Sequence, residues 1–248
     1  MSLRYILQCL ADLLFPRRCA RCSIELFPSE KHLCLNCLAE LPLTYYWKRE
    51  RNPMADRFNA MIEQRMPQDD YGLGREKYAY SAALFHYDTE GSFRNVLHRL
   101  KYKNDREIGR YLGGMLAMEI KSAEHFRDID VIVPVPLHWT KMMKRGYNQA
   151  AVIAEKMAKV IGVPAEGKIL VRKKKTKTQT LLDTEAKKKN VSGAFAVRDG
   201  PQKKYRHILL VDDVFTTGAT TYECFRALRT VYGRDVRISV ATLACTGQ

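Results

Sequence analysis

Residues 208–220 read ILLVDDVFTTGAT. Four apolar residues form a run of the length expected for a fully buried strand. Asp212 and Asp213 stand at its carboxyl end, and hydroxyls around Gly218 follow. Two adjacent carboxylates repel, and the vicinal hydroxyls of a sugar or a divalent cation would satisfy them. The loop TTGAT leads into a helix that is expected to begin near Thr220, and a helix N-terminus with free N–H groups is an anion site. Gly218 lets the backbone approach closely, while Thr216, Thr217, Thr220 and Thr221 add hydroxyl donors. Carboxylates for a ribose beside amides for a phosphate describe a ribose 5-phosphate.

Outward from this stretch, apolar runs alternate with helical periodicity. YSAALFHYD reads as a strand, and SFRNVLHRLKYK places Phe93, Val96, Leu97 and Leu100 on one helical face. REIGRYLGGMLAMEI continues the helical pattern, and DVIVPVP is a buried strand bounded by prolines. NQAAVIAEKMAKVIG opens on Asn148 as an N-cap and stops at Gly162. ATTYECFRALRTVYG is a helix ending at Gly233, and VRISVATLACT is the last strand. Strands alternating with helices predict an α/β fold, a parallel sheet covered on both faces. Ligands of such sheets bind at the carboxyl ends of the strands, which directs attention to the loops after VIVPVP and after ILLV.

At the other end of the chain, Cys19, Cys22, Cys34 and Cys37 form two C-x2-C pairs. In a reducing compartment this spacing points to a tetrahedral four-thiolate zinc site, structural because no ligand position stays open, with a redox dithiol as the alternative. Cys9, Cys224 and Cys245 sit in apolar surroundings and read as buried small hydrophobes. The N-terminal LRYILQCLADLLF carries its leucines at helical spacing but is broken by Arg4, Gln8 and Asp12, so it reads as a docking helix and neither a membrane span nor a signal peptide. A cytoplasmic location is the expectation. The expected organisation is 1–45 for the N-terminal helix and zinc finger, 46–78 for a connector with some helix, and 79–248 for the α/β domain.

Lys and Arg number 42 against 27 Asp and Glu, a net charge of +15, which favours phosphate-bearing ligands or nucleic acid as partners. Arg17, Arg18, Arg21 and Lys31 beside the cysteines, and the run RKKKTK with Lys187–Lys189, Lys203 and Lys204, are either solvated surface or contacts for a nucleic-acid backbone. Tyr45, Tyr46 and Trp47 are expected to pack, and neither His98 nor His138 is assigned a catalytic role.

VDDVFTTGAT resembles the phosphoribosyl pyrophosphate (PRPP) motif of type I phosphoribosyltransferases. The resemblance implies that Asp212 and Asp213 hold the ribose hydroxyls and are the catalytic pair. It implies a phosphate site at Val214, Phe215, Thr216, Thr217, Gly218, Ala219 and Thr220. Together with LLFPRRCARC, HRLKYKNDREIGRYLG, VPVPLHWTKMMKRGYNQA and TQTLLDTEAKKKNVSGAF, the chain is similar to the ComF/GntX family, which joins a zinc finger to a type I phosphoribosyltransferase fold. By that resemblance the loop carrying Lys141, Lys144 and Arg145 is the pyrophosphate loop, and Thr178 and Gln179 lie on a mobile loop over the site; the family often has Arg where this chain has Lys187–Lys189. Mg2+ would accompany PRPP, and structural Zn2+ would occupy the finger.

Three functions follow as expectations. One is a PRPP-dependent transferase whose acceptor no sequence element identifies. The family resemblance implies another, a role in natural competence, with single-stranded DNA and DNA-processing proteins as partners. The third is a protein–protein adaptor docking through the finger and the N-terminal helix.

Overall fold

The computed structural model describes residues 16–65, 76–88, 90–172, 193–198 and 204–247. Four parallel strands form the central sheet: β1 (Ser81–Tyr87), β2 (Val131–Pro134), β5 (His207–Phe215) and β6 (Arg237–Thr246), in the spatial order β1-β6-β5-β2. ILLV therefore lies inside the sheet, between β6 and β2. Its residues alternate between faces as the two-residue strand period demands. Leu209 and Val211 join one hydrophobic layer, whereas Ile208 and Leu210 join the other.

The first layer is closed by α3 (Arg94–Tyr102), α4 (Arg106–Ser122) and α6 (Gln149–Ile161). The helix α4 opens on Asp105, whose side chain accepts from Ile108 N–H, and α6 opens on Asn148, whose side chain accepts from Ala150 N–H. Gly162 ends α6 at φ +94, a conformation that suits glycine. The second layer is closed by α2 (Pro53–Arg65) and α7 (Ala219–Tyr232). The fully buried Phe58 of α2 meets Phe215 and Phe225 edge-to-face, with ring centroids 6.1 and 5.7 Å apart. Thirteen of the 33 residues expected as a connector with some helix thus form a helix that roofs the sheet.

Both sheet edges are covered. Residues 42–44 run antiparallel to β1, with Thr44 N–H donating to Leu84 O at 3.1 Å and His86 N–H to Pro42 O at 2.8 Å. Residues 164–166 flank β2, where Ile132 N–H donates to Pro164 O at 2.9 Å. Covered edges remove the template for pairing with another chain. A separate antiparallel ribbon pairs β3 (Leu170–Arg172) with β4 (Phe195–Val197). The short helices α1 (Leu35–Ala39), in the finger, and α5 (Trp139–Arg145), after β2, complete the described α-helices. No helix among the described residues is long and apolar enough to cross a membrane. The N-terminal docking helix expected before residue 16, with Cys9, lies outside the described residues.

At the amino end of β5, His207 is fully buried, its Nδ1 2.6 Å from Asp128 Oδ1 and its Nε2 2.8 Å from Ser239 Oγ. Ser239 is equally buried, so this bridge ties β5 and β6 to the preceding loop and offers no reachable nucleophile. Burial holds the His207 pKa below the usual histidine value, against the opposing pull of Asp128. A histidine kept neutral in the folded state leaves stability intact above its unfolded pKa of about 6.5. Stability then declines as pH falls below that value, because only the unfolded chain takes up the proton freely. Urea unfolding at stepped pH is expected to show this decline in the wild type and a flatter profile in His207→Gln.

Candidate functional site

β5 delivers Asp212 and Asp213 to the carboxyl edge of the sheet, and the two side chains part company there. Asp213 turns to α3, where Lys101 Nζ lies 3.4 Å from its Oδ2. Asp212 is held on the α7 side, where its charge is felt by the buried Cys224, and its Oδ1 accepts from Asp213 N–H at 2.8 Å. Burial first, and the neighbouring Asp213 second, push the Asp212 carboxyl up to about 8. Lys101 and Lys141 oppose that rise without cancelling it. A carboxyl poised in this way takes a hydroxyl or a cation readily, because either relieves the penalty of ionising.

The following loop is shaped by one glycine. Gly218 has φ +77 and caps α7, and a Cβ there would lie 2.7 Å from the Phe215 ring and 3.1 Å from Met61 Cε. Only glycine fits both the left-handed backbone and the close ring. Thr216 and Thr217 are exposed, and Thr217 Oγ1 accepts from Ala219 N–H at 3.4 Å. Thr220 and Ala219 are half-buried in the first turn of α7, a fourteen-residue helix whose N-terminus faces this loop. Phe215 points into the core beneath the loop, so its side chain supports the site and only its backbone is near it; Val214 is half-buried against the opposite layer.

Two residues that sequence reasoning did not single out hold this edge together. Arg57 of α2 stacks its guanidinium 4.9 Å from the centre of the Phe215 ring and donates from Nη2 to Thr216 O. Lys101 supplies the counter-charge of Asp213. Both are cations on amphipathic helices, and nothing local marks them. Their partners lie more than a hundred residues away in sequence.

Across the edge, the loop after β2 folds into α5, a helix with no buried residue. Lys141 and Lys144 are exposed on it, and Lys141 is close enough for its charge to act on Asp212. Arg145 is half-buried and engaged: its Nη1 donates to Gln149 Oε1 at 2.9 Å, and its guanidinium lies 5.2 Å from the Tyr102 ring centre. Asn148 Nδ2 donates to Val135 O at 3.0 Å, pinning the end of this loop to the strand that begins it. Thr178 and Gln179, with most of the basic run from Arg172, lie outside the described residues.

The four cysteines converge as their spacing predicts. Cys19, Cys22, Cys34 and Cys37 bring their sulfurs within 4.8 Å of one another. Tetrahedral zinc with 2.3 Å bonds sets sulfurs about 3.8 Å apart, and Cys22 Sγ and Cys34 Sγ are separated by 3.8 Å. The donor set and spacing fit a four-thiolate metal site. Around it, Glu30 accepts from Phe27 N–H and Leu35 N–H, both at 2.7 Å, and so ties the turn to α1. Arg21 joins the knuckle to the sheet domain: it lies 4.5 Å from the Phe93 ring centre and donates to Ser92 Oγ at 3.1 Å and to Cys37 Sγ at 3.6 Å.

Comparison with known proteins agrees with this picture. Residues 147–246 match the description "Phosphoribosyl transferase domain". Competence protein F of Haemophilus influenzae is 26% identical over 231 residues, covering 90% of this chain and 96% of that protein. DNA utilization protein YhgH of Escherichia coli is 30% identical over 136 residues, covering 54% of this chain and 59% of its own length. Competence protein ComFC of Bacillus subtilis is 28% identical, covering 57% of this chain and 55% of that protein. A solved glutamine PRPP amidotransferase from B. subtilis overlaps with a TM-score of 0.38 at 19% identity, covering 58% of this chain and 30% of that one, a likeness too slight to bear on substrate. With a match to a phosphoribosyl transferase domain over its C-terminal part and a four-cysteine cluster near its N-terminus, the chain is similar to Competence protein F along nearly its whole length.

Proposed function

We propose that the chain binds PRPP, or a related ribose 5-phosphate, at the carboxyl edge of β5 and β2, and that it serves DNA uptake or utilisation. The observation that carries the pocket is the pairing of a half-buried acidic couple with a glycine-capped helix start one loop away. In this reading Asp212 and Asp213 hold the ribose hydroxyls. The backbone of residues 214–220, with the Thr216, Thr217 and Thr220 hydroxyls, holds the 5-phosphate. Lys141, Lys144 and Arg145 face the pyrophosphate, and Thr178 and Gln179 belong to a loop that closes over it. Mg2+ would neutralise pyrophosphate charge in the loaded site. The four cysteines hold Zn2+, and the finger at 1–45 is a structural module ahead of the 79–248 domain.

The DNA role is supported by the names of the relatives, which are competence and DNA utilization proteins, and by the net charge of +15. Single-stranded DNA and DNA-processing proteins are the partners in this reading.

Thermal unfolding tests the pocket. A ligand at a hundred times its Kd stabilises the folded state by about 2.7 kcal/mol, which shifts the midpoint by about 5–10 °C in a chain of this size. PRPP with Mg2+ is expected to give a shift of that order. No shift at saturating PRPP would remove the pocket reading.

A further inference from the structure

We propose that the C-terminal end of α3 together with α5 forms a docking strip for the unpaired bases of single-stranded DNA, with Tyr102 and Trp139 as stacking faces and with Lys141 and Lys144 contacting DNA phosphates when no pyrophosphate occupies them. The proposal locates the DNA contact that the function above requires, and it rests on that reading for the identity of the partner.

Tyr102 is the first reason. Its side chain is 54% exposed, yet its ring is not loose. The His98 ring lies 4.9 Å away at 40°, and the Arg145 guanidinium lies 5.2 Å from the ring centre. Arg145 is itself fixed by Gln149, which is buried and donates to Tyr147 O at 3.3 Å. Tyr147 in turn donates its hydroxyl to Leu100 O, which anchors the α5–α6 junction onto α3. An exposed aromatic ring held in place by a buried relay is ordered before any partner arrives, so stacking on it costs little conformational entropy.

The second reason is α5. None of its seven residues is buried, and it exposes Trp139 at 53% and Met143 at 77%, with Lys141 and Lys144 between and beside them. Large apolar side chains facing water mark an interaction surface. Here they are interleaved with cations, and the chain as a whole carries +15. Planar rings set among lysines match a strand that offers bases and phosphates alternately. A duplex keeps its bases stacked inside and offers the rings nothing.

Position is the third reason. Lys101, the residue before Tyr102, is paired with Asp213, and Lys141 acts on Asp212. The strip therefore borders the acidic pair. From Trp139 to Arg145, the residue that meets Tyr102, the backbone rises about 9 Å, a span that suits successive parts of one strand.

Fluorescence anisotropy with a labelled oligothymidylate, on the full zinc-loaded chain, tests the strip. Tyr102→Ala and Trp139→Ala are each expected to weaken binding about tenfold at fixed salt, and Tyr102→Phe to keep it. The salt slope stays unchanged in these variants because the phosphate contacts remain. Lys141→Ala/Lys144→Ala is expected to flatten the slope by about 1.4 units. An oligonucleotide of abasic sites is expected to bind the wild type as weakly as the intact strand binds the aromatic variants. Wild-type affinity in both aromatic variants overturns the proposal, and so does equal affinity for duplex and single strand. Binding that depends on Tyr102 and ignores Trp139 also overturns it, since that pattern describes one free base and no strand. The PRPP-induced thermal shift, measured on Tyr102→Ala and Trp139→Ala, keeps the two readings apart: a strip that fails with the shift intact leaves the pocket standing.

Discussion

Replacing Asp212 with asparagine is expected to stabilise the ligand-free protein by about 3 kcal/mol at pH 8, and to cost it PRPP. The Asp212 carboxyl sits at about 8 where an ordinary aspartate sits near 3.8, chiefly through burial and then through Asp213. A raised folded pKa means that the folded state resists ionisation. The sign follows: below about pH 4 the group is protonated in both states and costs nothing. As pH climbs toward 8, the unfolded chain ionises freely and the fold loses stability. Each unit is worth ~1.4 kcal/mol, and solvent reaching a half-buried side chain takes roughly half of the total. Asparagine keeps the shape, never ionises, and relieves Asp213 of a like charge. Urea unfolding of the two proteins is expected to coincide near pH 4 and to diverge steadily above it. Such a divergence would show a stability deficit at this edge, the kind of cost found where a site is built for a ligand.

If the four cysteines hold Zn2+ as proposed, its removal is expected to be the second large effect. Cys19, Cys34 and Cys37 belong to the same hydrophobic layer as Leu33, Leu41 and Trp47, and that layer continues into Ala82, Leu84 and Phe93 of the sheet domain. A segment of this size has little core of its own, so metal binding would supply its folding energy. Once the knuckle opens, Arg21 releases Phe93 and Ser92, and the sheet layer is uncovered beside them. Chelation is expected to lower the unfolding midpoint by about 10 °C or more, since each kcal/mol moves it by about 2–4 °C at this length. Cys34→Ser is expected to behave like the chelated wild type. A midpoint indifferent to chelator, in protein shown to have lost its metal, would contradict the structural role.

The fold was legible where one physical signal acts over a short stretch. The unbroken apolar run from Ile208 to Val211 marked an interior strand because both faces of the sheet are covered. Gly218 marked the tight loop because no other residue tolerates its φ with Phe215 so close. Asn148 and Gly162 marked the ends of α6 because caps act within one turn. The four cysteines were legible through spacing alone.

What escaped reading depends on distance. The helix α5 buries nothing, so it has no apolar period to betray it. The ribbon of β3 and β4 joins two three-residue strands more than twenty positions apart. Helix α2 looked like part of a connector because Met54, Phe58 and Ile62 are diluted by charge, and its role in roofing the sheet appears only through Phe215 and Phe225. Lys101 and Arg57 are unremarkable lysine and arginine until the chain brings Asp213 and Thr216 to them. Backbone geometry and periodicity are local properties, whereas charge pairing across a sheet edge is a property of the topology.

The most direct test of the pocket is calorimetric titration of the zinc-loaded protein with PRPP and Mg2+, alongside the Asp212→Asn/Asp213→Asn variant. The account predicts saturable binding by the wild type, with proton release near neutral pH as Asp212 ionises, and no binding by the variant. Equal binding by both proteins, or no binding by a folded wild type, would contradict it.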